Sequence, residues 1–238
     1  MRVHLHTCTC TSKESGNVLF FILIAVGLLA ALSFVVAHGN RGGADVLGAE
    51  RARLLAGEII EFSTAVGHAT SQVRLRGYLA DEVSFEAPGA ALYANTNCSS
   101  DDCKIFHISG GGVNFSQPPT EAMAVTPVPD NQWHIYGDNE ILNVGSTCGT
   151  SECSDVILVV DELRKEVCQQ INDLLDIAHP MSEPPTDGNL GEAAFTGTFG
   201  FTNVIGDTDS QLAGRKAGCF LKSTSPTEYV FYQVLIER

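Results

Sequence analysis

Positive charge is scarce in this chain: 14 Lys and Arg stand against 28 Asp and Glu, a formal net charge of −14. Nucleic-acid binding rests on clustered Lys and Arg, so this balance argues against a nucleic-acid partner. Catalytic signatures are also missing. No G-x-S-x-G stands in the chain, and nothing marks an activated serine. The glycine-rich run Ser109–Gly112 lacks both the following helix and the lysine of a phosphate-binding loop, and reads as a turn. His38, His68, His107, His134 and His179 form no pair at metal-ligand spacing, and His107 and His134 alternate with apolar residues as polar-face strand residues do. These absences point away from an enzyme.

Two further absences mark the first third of the chain. Proline does not occur before Pro88. Charge, proline, asparagine and glutamine are all missing from Val18 to Ala37, 20 residues that as a helix would extend roughly 30 Å, the thickness of a bilayer's hydrocarbon core. The run is longer than the apolar core of an ordinary signal peptide, about 7–15 residues, although Val35-Val36-Ala37 offers a small-residue cleavage site. A plain single-pass anchor is the second reading, with only a weak charge asymmetry from Arg2, Lys13 and Arg41 to orient it.

Behind the run, Leu47, Leu55, Ile59, Phe62, Val66, Ala69 and Val73 recur at helical spacing and make one apolar stripe, so an amphipathic helix is expected over 38–82. Gly39, Gly42 and Gly43 would permit a bend between the two helical stretches.

The pattern changes at Val83. Short β-branched and aromatic runs, "VSFE", "KIFHI", "QWHIYG", "AFTGTFGFTNVIG", "AGCFLKS" and "EYVFYQVLIE", are separated by Gly, Pro, Asn and Asp and read as strands. One internal helix is expected over Asp155–Ile177, capped by Ser154, with Val156, Val160, Leu163, Val167, Ile171 and Leu174 as its buried face. The fold class expected is therefore α+β: a long N-terminal helix, part membrane and part amphipathic, packed on a mostly antiparallel β-sheet head with one internal helix. The head, 83–238, holds 7 Lys and Arg against 21 Asp and Glu, so it carries the acidity of the whole chain.

Six of the eight cysteines follow the apolar run. Cys98 and Cys103, like Cys148 and Cys153, stand at C-x4-C spacing around a polar loop, which leaves Cys168 and Cys219 as a third pair. Three disulfides in an oxidising compartment are the leading reading, among the 15 pairings six cysteines allow. A four-cysteine zinc site from the two loops is the rival. Asp207 and Asp209 in "GDTDSQ" are weak candidates for calcium ligands, far short of an EF-hand. Arg74 and Arg76, too few for nucleic acid, are expected to pair with acidic groups.

The order of these parts resembles a type IV pilin or type II secretion pseudopilin precursor: a short polar leader ending at Gly16, an apolar helix from the next residue, then a second helix with almost no turn between. Asn17 stands where most members carry Phe, and Phe21 where most carry Glu. The resemblance covers Lys13 to about Glu82 and is one of architecture. It implies a leader of residues 1–16, cut by a prepilin peptidase between Gly16 and Asn17 with methylation of the new terminus, and a transmembrane helix at 17–37. The membrane, other pilin-like subunits and a secretion machinery would be the partners. It also implies an inner-membrane, single-pass protein with its head in the periplasm or outside the cell, acting as a structural subunit of a pilus or pseudopilus. The alternative is a single-pass periplasmic protein whose head binds a small ligand or acts as an enzyme.

Overall fold

The computed structural model describes residues 17–88, 92–124, 132–179, 183–188, 190–222 and 228–238; for 17–19 and 34–47 only the backbone is described. Helix α1 spans Asn17–Leu75. The chain divides into two compact units, Met1–Gly48 and Ala49–Arg238. In the first unit the described side chains run from Phe20 to Ser33, and every one is exposed. The second unit holds the sheet and both apolar clusters.

Six strands form one sheet: β1 (His134–Ile141), β2 (Asp155–Leu163), β3 (Thr186–Asp187), β4 (Asn203–Ile205), β5 (Ala217–Lys222) and β6 (Glu228–Ile236), in the order β3-β5-β6-β2-β1-β4. The four long strands pair antiparallel, while β3 runs parallel to β5 and β4 parallel to β1. The sheet curls until its edges meet, and Asp187 in β3 accepts a hydrogen bond from the Gly206 N–H, one residue past β4, at 2.6 Å. The result is a nearly closed mixed barrel.

Side-chain alternation splits the core in two. Along β2, Val156, Leu158 and Val160 join a cluster with α1, while Ile157 and Val159 join Phe220, Val230 and Tyr232 inside the curl. Along β6, Phe231 and Leu235 face the first cluster and Tyr232 and Val234 the second. Both faces of the central strands are buried. Helix α2 (Lys165–Leu174) follows β2 after one residue and buries Val167, Cys168 and Ile171. Residues 83–88, 92–124 and 132–133 form a layer of loops and short 3-10 turns that contributes Phe85, Ile105 and Trp133 to the core it shares with α1 and the sheet.

The expected class is corrected. The sheet is mixed, because two short parallel strands close its edges. The helix expected over Asp155–Ile177 is strand β2 followed by the short α2. A strand buried on both faces reads as an unbroken apolar run, and "DVILVV" is one. Ser154 caps no helix; its hydroxyl donates to the Gly200 carbonyl ahead of β2. Leu174, expected on the buried face, is 41% exposed. Of the strands expected, "VSFE" and "KIFHI" form no strand and touch through one bridge, Ser84 with Lys104. The helix expected to reach residue 82 ends at Leu75 and turns at Gly77, whose φ is +106°. Nor is α1 one long element packed on a sheet: its residues to Gly48 belong to a different unit from the sheet, and from Ala52 to Val73 its apolar residues share the loop-layer core.

The single-pass inner-membrane location is also corrected. Among the described residues no helix is long and apolar enough to cross a membrane.

Candidate functional site

The most unusual surface is the described apolar segment of α1. Phe20, Phe21, Leu23, Leu28, Leu29 and Leu32 are each 60–66% exposed. Apolar residues occupy every face of the helix here, and such a helix is normally buried. By contrast, the same helix from Ala52 onward alternates by face: Ala56, Ile59, Val66 and Val73 are fully buried, while Glu58, Glu61 and His68 are exposed or nearly so.

The body is built to hold its shape. The disulfides are Cys98–Cys103, Cys148–Cys153 and Cys168–Cys219, the three pairs read from the spacing. The third joins α2 to β5 at two fully buried positions. Asn172, one turn further along α2, reinforces it by donating to the Cys219 carbonyl at 2.8 Å and accepting from the Cys219 N–H at 2.9 Å. Asn95 does similar work in the loop layer, donating to the carbonyls of Asp81 and Val83 and accepting from the Asn97 N–H. Asp138 and Asn139 in β1 pin the loop before β4: Thr202 donates to Asp138, and Asn139 exchanges two hydrogen bonds with Gly191.

Buried carboxylates collect at one end of β1 and β2. Asp155 accepts from the N–H groups of Ile141 and Arg238 at 2.9 and 3.0 Å. Burial nevertheless pushes its pKa up to about 7, with Glu140 and Glu237 adding to the rise. Asp187 is likewise raised, first by burial and then by Asp207 and Asp209, against the N–H groups of Gly206 and Gly188 that favour its charged form.

An open cleft of about 720 Å³ lies between the end of α1 and β6, with Lys216 and Arg74 on its walls. Lys216 is paired with Glu237 at 2.7 Å, whereas the Arg74 side chain has no ion pair among the described residues. Arg76 donates to the carbonyls of Ser109 and Gly110, a clamp on the backbone of that loop.

The remaining residues singled out by sequence are scattered. Gly16 lies outside the described residues, as does His38 for its side chain; Asn17 is the first residue of α1, its side chain likewise undescribed. His107 lies 3.6 Å from Asp101, His134 stacks on Tyr136, and His179 meets Asp173 at 2.7 Å; among the described residues these histidines stand at separate places. Asp207 and Asp209 bond within their own turn, to Thr208 and to the Gln211 N–H. Among the described residues no group of three His, Cys, Asp or Glu could hold a metal ion. Sequence reasoning missed Asn95, Asn172, Asp138 and Asp155, whose roles come from backbone groups distant in the chain. Compared with family models, curated proteins and solved structures, the chain gives no match.

Proposed function

We propose that this protein is a non-enzymatic structural subunit that assembles with further pilin-like chains through the apolar segment of α1. The observation that carries the reading is the uncovered surface from Phe20 to Leu32. Removing apolar area from water is worth about 25 cal/mol per Å², and like segments packing side by side would remove it. The pilin-like order of leader, apolar helix and second helix in the sequence supports the reading. The disulfide-tied body fits a part that must keep its shape inside a larger assembly.

Sedimentation of the purified full chain tests the reading. The protein should form large assemblies, and Leu28→Glu with Leu29→Glu should leave it monomeric with its urea midpoint unchanged. A wild-type chain that stays monomeric at tens of micromolar, or a double variant that assembles as well as wild type, would overturn it. Mass analysis of protein from cells with an active prepilin peptidase should show Asn17 as the first residue; a chain still beginning at Met1 refutes the processing step.

A further inference from the structure

The loop layer contains a partly open pocket of about 190 Å³ that the assembly function leaves unused. Three separate stretches build it. Phe85, Tyr93, Trp133 and Ile135 form a buried floor, and the half-buried rings of Phe106 and Phe115 form the walls. At the mouth stand the exposed side chains of Gln117 and Gln132. Among the described residues no charged side chain lines it.

Five aromatic rings around a void ordinarily collapse on one another, because interiors pack to near-crystalline density. Here each ring is committed elsewhere. The Trp133 indole N–H donates to the Ser116 carbonyl at 2.9 Å, and its ring stacks on Phe62 of α1 at 4.8 Å. Phe85 meets Phe195 edge-on at 6.0 Å, and Phe106 and Phe115 brace one another at 5.1 Å. The Tyr93 hydroxyl is in contact with His134 Nδ1 at 3.4 Å. These partners hold the rings apart, so the pocket is formed before anything enters it, and a ligand need not pay to order it.

The geometry points to a binding site for a small, uncharged aromatic molecule of one or two rings carrying a single polar substituent. Size sets the ring count, since cavities of about 150 Å³ admit benzene. The aromatic and aliphatic walls set the class, because rings favour edge and offset contacts with other rings. The uncharged lining among the described residues argues for a neutral ligand, because an ion would bring an uncompensated charge out of water. The Gln132 amide at the mouth offers both donor and acceptor for the polar substituent.

Trp133 is the one tryptophan of the chain, so its emission reports this pocket alone. The full-length protein is titrated with benzyl alcohol, benzoate and benzyltrimethylammonium. Benzyl alcohol should give a saturable change in Trp133 emission, and the two ions should bind at least tenfold more weakly. Ala87→Phe, which fills the pocket from its lining, should weaken benzyl alcohol at least tenfold with the urea midpoint held or raised. Should that variant misfold, Ile135→Ala provides the second arm: a larger pocket should shift preference towards naphthylmethanol at least fivefold. No saturable response, tighter binding of either ion, or affinities unmoved by the folded variant overturns the site.

Discussion

Replacing both cysteines of the Cys168–Cys219 bridge by alanine should cost far more than the same change at Cys98–Cys103. The two bridges close loops of 51 and 5 residues. Cross-linking removes entropy from the unfolded chain by about 2.1 + 1.5R ln n cal/mol/K, which at 25 °C gives about 4 kcal/mol for the long loop and about 2 kcal/mol for the short one. The native state should survive the loss, because Asn172 still grips both backbone groups of Cys219 and the residues around the bridge are fully buried. The effect therefore acts through the unfolded state, and it should carry a second signature. Without its long cross-link the unfolded chain expands and exposes more surface, so the urea m-value should rise, whereas the short bridge should leave it nearly unchanged. Asn172→Ala is the contrasting perturbation. It strands two buried backbone groups at about 1–3 kcal/mol each and should lower the midpoint without altering m. Urea titration followed by Trp133 emission reads all three variants. If the long-loop variant is no less stable than the short-loop variant, or if its m-value does not rise, the account of the bridge as a constraint on the unfolded chain is wrong.

Acid should stabilise the protein between about pH 4 and 7. Asp155 has a folded pKa of about 7, above the roughly 3.9 of an unfolded aspartate, so the folded state binds the extra proton and stability declines as pH rises through that window, by at most about 1.4 kcal/mol per unit. Asp187 shifts in the same direction. A urea midpoint at pH 8 equal to or above that at pH 5.5 would contradict this. Gly197→Ala should destabilise by about 1–3 kcal/mol, the cost of holding a side chain at a disfavoured positive φ. At its φ of +93° a new Cβ would stand 2.4 Å from the Asn95 Oδ1 that receives the Asn97 N–H. An unchanged midpoint would show that the loop yields freely.

What could be read from the sequence depended on whether the signal was local. Strands β5 and β6 announce themselves, since "AGCFLKS" and "EYVFYQVLIE" are β-branched and aromatic between turn residues. The stripe of Ile59, Val66, Ala69 and Val73 is local too, and those residues are buried. The C-x4-C bridges needed only spacing. Strand β2 misled because its two faces serve two cores, which erases the alternation that marks a strand. Strands β3 and β4, two and three residues long, are too short to carry any period; they exist because the curled sheet brings partners to them.

The aromatic pocket was illegible for a related reason. Its floor and walls come from three stretches far apart in the chain, and Phe85, Phe106 and Trp133 read as strand residues while Phe115 stood behind a glycine-rich turn. The loop layer uses them otherwise. Among its described residues it forms no strand, and short backbone links, such as those from the Ile105 N–H to the Ser84 carbonyl and from the Gly111 N–H to the Lys104 carbonyl, combine with the Cys98–Cys103 bridge, the Asn95 clamp and ring-to-ring contacts anchored on Phe62 of α1 to hold it. Phe62 thus couples two parts of the molecule: it is the residue through which the helix braces Trp133, Phe106 and Phe115. Phe62→Ala should accordingly loosen the pocket before it loosens the barrel. Trp133 emission should change at urea concentrations where far-ultraviolet circular dichroism, dominated by the sheet and helices, is still native. Coincident transitions by both probes would show instead that loop layer and barrel unfold as one cooperative unit.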